Sequence, residues 1–174
     1  MSGPSPIRPL VSIVVPVYCN EGSLEQLHQE IRDVAASRFG ACALEIVFVD
    51  DGSTDGSWGV IEALRDLDPT CVSAHRLSRN FGQLHAMLAG YELAAGDAII
   101  SISADLQDPT ALMGDMVEAW SGGVDVVVAN RAERTDGALA VATSRAAYWY
   151  ARRSSPDIPK GGFDYFLMSR RACD

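Results

Sequence analysis

Glu45-Ile-Val-Phe-Val-Asp-Asp-Gly-Ser-Thr-Asp-Gly-Ser57 is the stretch of sequence that decides the fold class. The apolar run from Ile46 to Val49 is too short for a helix and rich in β-branched and aromatic side chains, so it predicts a buried strand. Asp50 and Asp51 follow at its carboxyl end, which is where open α/β sheets bind their ligands. Two carboxylates at this position predict a binding site and not an ordinary solvated surface.

On either side of this stretch, short apolar runs alternate with amphipathic stretches, a pattern typical of βαβ units. The predicted strands are 11–17, 46–49, 72–77, 98–102, 125–129 and 163–169, the last as an antiparallel candidate. The predicted helices begin after Ser23 and continue at 60–67, 82–95, 112–120 and 138–153, and Leu84, Leu88 and Tyr91 are the large apolar residues of helix 82–95. Ser23 and Gln26 have the spacing of a capping box. The pattern predicts an α/β fold with a mostly parallel sheet flanked by helices.

The bulk properties restrict the class of protein. With 174 residues, the chain fits one domain over 10–174 after a disordered lead-in at 1–9. The net charge of -9 argues against a general nucleic-acid binder, and no window is apolar enough to span a membrane. The four cysteines form no C-x-x-C pair, which favours reduced thiols in a cytosolic protein. We expect a cytoplasmic protein, with a peripheral position at the inner face of the cell membrane as the alternative.

Three predicted strands end in polar residues: Asp50-Asp51, the segment Ser103-Ala-Asp-Leu-Gln107, and Asn130-Arg131. These ends lie at one edge of a parallel sheet, where several carboxylates need a cation or hydrogen-bond donors to compensate them. Mg²⁺ or Mn²⁺ would do so, and a nucleotide diphosphate is the natural companion of such a metal. The alternative is that each aspartate only caps the following helix, which is what we expect of Asp55 and Asp108.

Other acidic-site patterns fit less well. Residues 51–62 match the spacing of a calcium-binding loop, but that motif needs a preceding helix and a strand is predicted here. A phosphoacceptor receiver domain would need a lysine at the end of the fifth strand, and the only lysine is Lys160. A phosphatase with a nucleophilic D-x-D after its first strand is excluded because that strand ends in Pro16-Val-Tyr18.

Four motifs in series resemble those of family 2 glycosyltransferases of the GT-A fold. They are Val11-Ser-Ile-Val-Val-Pro-Val-Tyr18, Val49-Asp-Asp-Gly-Ser-Thr-Asp55, Leu77-Ser-Arg-Asn-Phe-Gly-Gln83 and Ser103-Ala-Asp-Leu-Gln-Asp-Pro109. The sequence is most similar to bacterial polyprenyl-phosphate sugar transferases related to dolichol-phosphate mannosyltransferase, over residues 10–174. The resemblance implies a Rossmann-like GT-A domain that moves a sugar from a nucleotide-sugar donor to a polyprenyl phosphate or another acceptor, with inversion and with a divalent metal.

The resemblance also implies roles for individual residues. The nucleotide base would be held by Pro16, Tyr18, Glu21 and Asp51, with Asp51 accepting a hydrogen bond from a ring N–H. Asp105 would ligate Mg²⁺ or Mn²⁺ with help from Gln107. The other implied donor-binding residues are Ser53, Arg79, Ala104 and Arg131, of which Arg131 would lie near the donor phosphates.

Asp164, in Gly161-Gly-Phe-Asp164, matches the family's candidate base near the acceptor. A lipid phosphate is already an anion at neutral pH, so with such an acceptor Asp164 would orient the acceptor or the sugar. With a hydroxyl acceptor, Asp164 would act as a true base.

The sequence departs from the family pattern at three places. Ser103 replaces the first carboxylate of the usual D-x-D, which predicts weaker metal binding, and Cys19-Asn-Glu21 differs from the common N-E-E. Family members usually continue beyond the position of Asp174 into acceptor-side and transmembrane elements, so a partner, a second copy or a longer chain would supply acceptor contacts. The alternative function is a catalytically weak nucleotide-sugar-binding homologue that acts with a partner. The segment Arg145–Arg153 suits an interfacial helix or packing on the sheet.

Overall fold

The computed structural model describes residues 8–129 and 165–173, which form one sheet with helices packed on it. The strands are β1 (Leu10–Val17), β2 (Ala43–Asp50), β3 (Val72–Arg76), β4 (Ala98–Ser101), β5 (Val126–Val128) and β6 (Phe166–Ser169). The helices are α1 (Leu24–Arg38), α2 (Ser57–Leu67), α3 (Gln83–Leu93), α4 (Leu112–Ser121) and the short α5 (Arg170–Cys173).

The strand order is β3-β2-β1-β4-β6-β5, with β1 to β4 parallel and β6 antiparallel to both of its neighbours. From β1 the chain proceeds to β2 and β3 on one side, and then crosses to the other side of β1 to form β4. Such a reversal opens a crevice outside the carboxyl ends of the strands, where ligands of open α/β sheets bind. Val17 pairs with Asp50, so β1 and β2 end level with each other at this crevice.

The α/β class predicted from the sequence is confirmed, and the predicted strands are present with ends shifted by a few residues. The antiparallel position of β6 is also confirmed. Every side chain from Val11 to Val17 is buried, as expected of a central strand covered on both faces. The predicted helix 138–153 and residues 163–164 lie outside the described part of the chain.

Helix α3 packs on β1 and β2 through two small residues and a methionine rather than through its leucines. Ala86, Met87 and Gly90 are its buried positions. A Cβ at Gly90 would collide with the Val14 side chain, so glycine allows the helix to approach the sheet closely. Leu84 and Leu88, which the sequence places in this helix, lie on its exposed side.

The predicted capping box at Ser23 is wrong, although α1 begins where it was expected. Ser23 is the N-cap residue, but its side chain makes no capping hydrogen bond and Gln26 bonds to Glu30 instead. The backbone of Ser23 is in the helical region, not the extended region that aims an N-cap hydroxyl at the helix amides. Its hydroxyl donates to the carbonyl oxygen of Ala104 at 2.5 Å and so ties the start of α1 to the loop after β4.

Candidate active site

A pocket lies at the carboxyl ends of β1, β2 and β4, at the point where the strand order reverses. It is lined by Pro16, Val17, Tyr18, Asn20, Asp51, Asn80, Gly82, Gln83, Ala86, Ser103 and Asp105. The end of β1 contributes the floor residues Pro16 and Val17, and the loops after β2, β3 and β4 contribute the walls. The crevice predicted by the topology is therefore a real concave site lined by polar groups.

Asp51 joins the end of β2 to the loop between β3 and α3. The residue is only 2% exposed, and its two carboxylate oxygens accept the N–H groups of Phe81 at 2.7 Å and Gly82 at 2.8 Å. Gly52 follows with φ +71°, and a Cβ there would lie 2.6 Å from the carbonyl carbon of Arg79. Only glycine fits that close approach, so the two loops form one rigid wall of the pocket.

Asp50 stabilises the turn that follows β2. Its carboxylate is fully buried, forms an ion pair with Arg76 at 2.9 Å and accepts the N–H of Ser53 at 3.1 Å. The guanidinium of Arg76 also donates to the carbonyl oxygen of Ser53 and lies 5.5 Å from the ring centre of Trp58. A buried charge with this many partners holds the turn in a single conformation.

Two residues beside the pocket have left-handed backbone conformations. They are Cys19 with φ +56° and Leu106 with φ +61°, the non-glycine residues of the described chain with positive φ. The N–H of Cys19 donates to the Ser53 hydroxyl, and Leu106 lies between Asp105 and the Gln107 N–H that Asp105 accepts at 3.1 Å. Strained conformations of this kind concentrate at functional sites, because surrounding contacts must be kept to hold them.

Four of the residues predicted for the site line the pocket together. They are Pro16, Tyr18, Asp51 and Asp105, which come from three different strand ends. Arg131 and Asp164 lie outside the described residues.

The other predicted site residues in the described chain do not line the pocket. Glu21 accepts the N–H of Gly56 at the start of α2, and the neighbouring Asp55 accepts the N–H of Ser57. The N-cap residues of α2 and α4 are Gly56 and Ala111, so neither Asp55 nor Asp108 is the N-cap residue that the sequence predicted. Ser53 and Ala104 are buried, and Arg79 and Gln107 are exposed beside the pocket. Roles in donor or metal binding for these residues stay predictions.

The sequence model of the family described as Glycosyl transferase family 2 matches residues 12–169. The chain belongs to this family.

Two relatives show how far the similarity extends. The prophage bactoprenol glucosyl transferase homolog of Escherichia coli K12 is 38% identical over 162 residues, which are 92% of this chain and 52% of that protein. The undecaprenyl-phosphate 4-deoxy-4-formamido-L-arabinose transferase of Pseudomonas aeruginosa is 43% identical over 152 residues, 87% of this chain and 44% of that protein. The chain thus spans about half the length of these relatives. Both are named as transferases, which does not favour the alternative of a binding homologue.

The fold agrees with this membership. The mannosyltransferase PcManGT from Pyrobaculum calidifontis, solved with GDP-Man and Mn²⁺, superposes with a TM-score of 0.65 at 20% identity, over 94% of this chain and 45% of that one. The predicted GT-A fold is confirmed. Within residues 8–129 and 165–173, no helix has the length and apolar character that crossing a bilayer requires.

Several residues that line the pocket were not predicted from the sequence, although they lie in or close to the motifs quoted above. Asn80, Gly82 and Gln83 belong to the Leu77–Gln83 motif, from which only Arg79 was taken, and Asn20 lies beside the predicted Glu21. The signal was therefore present, but the sequence alone does not say which side of a loop faces the sheet end.

The described residues fit a divalent cation that is shared with the substrate. Asp105 is exposed at the pocket rim, and Ser103 lines the same wall. Residues 8–129 and 165–173 contain no group of three or more histidine, cysteine or acidic side chains that could hold a metal. Mg²⁺ commonly binds through one or two carboxylates, several waters and substrate phosphates, so a single aspartate suits such an ion and not a closed protein cage.

Proposed function

We propose that this chain carries the donor site of an enzyme that transfers a sugar from a nucleotide diphosphate to a polyprenyl phosphate, with inversion at the sugar and with Mg²⁺ or Mn²⁺. The observation that carries the proposal is the pocket at the β1/β4 crossover, with buried Asp51 on one wall and exposed Asp105 on another. Family membership supports the reaction class, and the names of the relatives support the acceptor.

The base of the nucleotide would bind between Tyr18 and Asp51. The ring of Tyr18 is about half exposed and lines the pocket, so it can stack on a base. Each oxygen of Asp51 already accepts one backbone N–H, and an ionised carboxylate has about four acceptor positions. One of the remaining positions can therefore accept a hydrogen bond from a ring N–H without displacing the loop.

The diphosphate would extend from there toward Asp105. When bound, a divalent cation neutralises charge on the leaving nucleotide diphosphate. Asp105 would hold that cation, and Gln107 would assist. The N–H groups of Gln83 and Leu84, in the first turn of α3, have no acceptor among the described residues and add a positive end beside the pocket. Arg131 would contact the donor phosphates.

Inversion follows from a single displacement. An oxygen of the acceptor phosphate attacks the anomeric carbon from the face opposite the leaving diphosphate, and the bond to that diphosphate breaks. Because the attacking phosphate is already an anion, Asp164 would orient the acceptor and not remove a proton. Such an acceptor requires a peripheral position at the cytoplasmic face of the membrane, with the rest of the protein, a partner or a second copy completing the acceptor site.

A panel of nucleotide sugars in a thermal-shift assay, with and without Mn²⁺, tests the donor site directly. A ligand at 100 times its dissociation constant adds about 2.7 kcal/mol to the free energy of unfolding. Single-turnover assays with a polyprenyl phosphate then test transfer, which should depend on metal and fall by a factor of about 10²–10³ in Asp105→Ala. If no nucleotide stabilises the chain, the proposed donor site is contradicted. If the nucleotide sugar binds but no sugar is transferred, the proposed transferase activity is contradicted.

A further inference from the structure

The hydroxyl of Ser103 differs from those of two serines that follow β2. The hydroxyls of Ser53 and Ser57 accept the backbone N–H groups of Cys19 and Asn20, each at 2.9 Å. Ser103 lines the pocket and is partly buried, and its hydroxyl has no hydrogen-bond partner among the residues that the structure describes. A polar group that is partly removed from water and unpaired in a concave site is available to a ligand.

The backbone on either side of Ser103 is fixed. The N–H of Ile102 bonds to the carbonyl oxygen of Val14 at 3.1 Å, so the chain still runs beside β1 at this point. On the other side, the carbonyl oxygen of Ala104 accepts the Ser23 hydroxyl at 2.5 Å. A side chain between two such anchors is positioned before a ligand arrives, which lowers the entropy cost of binding.

The charged side chains that line the pocket are both acidic. They are Asp51 and Asp105, and the described lining contains no arginine, lysine or histidine. A nucleotide diphosphate is itself an anion, so these like charges oppose its entry unless a cation accompanies it. The serine at position 103 adds no further negative charge, and its hydroxyl can donate a hydrogen bond to a phosphate oxygen.

Ser103 lies on the diphosphate side of the pocket. It is two positions from Asp105 in the loop after β4, whereas Asp51 belongs to the loop after β2, on the other side of β1. The proposed function puts the base of the nucleotide at Asp51 and the diphosphate at Asp105. The hydroxyl of Ser103 is therefore placed to meet the diphosphate and not the base.

We propose that the Ser103 hydroxyl donates a hydrogen bond to the diphosphate of the donor, and that this neutral side chain makes donor binding less dependent on the cation than a carboxylate there would. This inference rests on the proposed function and adds a binding residue to its donor site. Charge on the leaving diphosphate still grows during transfer, so the reaction keeps its need for a cation. Binding of the donor and transfer of the sugar therefore differ in their response to metal.

The hydroxyl is tested with Ser103→Ala. The probes are UDP, GDP, ADP, CDP and dTDP, titrated by calorimetry in EDTA and again in Mn²⁺. Without the donated hydrogen bond, affinity for the best-bound nucleotide should fall about threefold to tenfold under both conditions. Ser121→Ala, at an exposed position of α4, controls for the loss of a serine and should stay within about twofold of the parent. If S103A weakens binding only in Mn²⁺, the hydroxyl is a ligand of the cation and the inference is overturned.

The charge is tested with Ser103→Asp and the matched control Ser121→Asp. In EDTA, S103D should weaken the best-bound nucleotide about tenfold, because a carboxylate beside the diphosphate repels it. In Mn²⁺ the added carboxylate can share the cation, so the gain in affinity on adding Mn²⁺ should be about tenfold larger in S103D than in the parent. S121D should respond like the parent, since Ser121 lies at the opposite end of α4 from the loop after β4. A carboxylate beside ribose hydroxyls would accept their hydrogen bonds, so undiminished binding of S103D in EDTA overturns the inference.

Binding by the parent chain separates failure of this inference from failure of the proposed function. If the parent binds none of the nucleotides, with or without Mn²⁺, the proposed donor site itself is contradicted. If the parent binds only in Mn²⁺, or if S103A and S103D bind like the parent, the donor site stands and the role of Ser103 is overturned. Without ligand, S103A should melt within about 2 °C of the parent, because its hydroxyl has no partner in the described chain. A larger loss would show that the hydroxyl stabilises the loop after β4, which also overturns the inference.

Discussion

The loop after β2 and the loop after β4 both bring an aspartate to the same pocket, but they use it differently. Asp51 is almost fully buried and both of its oxygens accept backbone N–H groups from another loop. Asp105 is exposed, and among the described residues its side chain accepts one hydrogen bond, from the N–H of Gln107 two residues away. The first carboxylate holds the wall of the site together, whereas the second has oxygens free for a ligand.

This difference teaches that carboxylates at strand ends cannot be assigned a role from position alone. A buried carboxylate with satisfied oxygens costs stability when it is changed, because its donors lose their acceptor. An exposed carboxylate costs little stability and is available to a cation. The comparison therefore separates stability from activity, and substitutions at the two loops can test that separation.

The largest effect is expected from Asp105→Ala. Removing one electrostatic element from a preorganised site typically lowers kcat by a factor of about 10²–10³, or about 2.7–4 kcal/mol of barrier. The melting temperature should stay within a degree or so, since the side chain is exposed and its hydrogen bond within the described chain is local. Single-turnover sugar transfer measures the loss of activity, and thermal unfolding measures the stability. Asp66→Ala, at an exposed position of α2, is the control. A large loss of stability in D105A would show that Asp105 also stabilises the loop after β4.

Gly52→Ala should cause the largest loss of stability. A methyl group there meets the backbone of Arg79 at 2.6 Å, and the residue must keep φ +71°. The clash and the left-handed conformation together should cost about 2–4 kcal/mol. Gly40→Ala separates the two terms, because Gly40 has φ +59° and no atom within 4 Å of an added Cβ. Chemical denaturation should show about 1–2 kcal/mol for G40A. Equal losses in both variants would mean that the loops at Gly52 are not packed tightly.

Asp51→Asn tests whether the Asp51 carboxylate stabilises the fold. The amide replaces one accepting oxygen with a donor, and either flip of the amide points that donor at the N–H of Phe81 or Gly82. A loss of about 1–3 kcal/mol of unfolding free energy is expected, together with weaker nucleotide binding. Asp105→Asn is the matched control and should leave the unfolding free energy unchanged. If D51N unfolds like the parent and loses only donor affinity, Asp51 acts on the ligand and not on the loop.

Much of the fold could be predicted from the sequence because its signals are local. The run from Ile46 to Val49 is apolar and β-branched, and its strand and the acidic residues after it are where the pattern places them. The same holds for β1, which is buried from Val11 to Val17. These predictions need only the period and composition of a short segment.

The orientation of side chains could not be predicted, because it depends on contacts that are distant in sequence. Leu84 and Leu88 have helical spacing and look like core residues, but α3 approaches the sheet through Gly90. The Ser23 hydroxyl bonds to Ala104, which no local pattern announces. The same limit applies to Asp51, whose partners at Phe81 and Gly82 come from the next loop. Pattern identifies the elements and the chemical groups, and tertiary contacts decide what each group does.

The smallest effect is expected outside both loops, at His28 on α1. The side chain is buried, and its Nε2 atom has no hydrogen-bond partner in the described chain. Burial lowers the pKa of His28 from its ordinary 6.5, with a further contribution from the nearby Arg32 and an opposing one from Asp68. The unfolded chain therefore takes up a proton first as the pH falls through 6.5, so His28 destabilises the folded state progressively below that pH. Unfolding free energies measured between pH 7 and pH 5 should fall less steeply in His28→Gln than in the parent.

Gln29→Ala, at an exposed neighbouring position on α1, should keep the parent's slope. Nucleotide-sugar affinity should be unaffected by H28Q, because His28 lies on α1 and does not line the pocket. Identical slopes in H28Q and the parent would show that protonation of His28 is not what weakens the fold in acid.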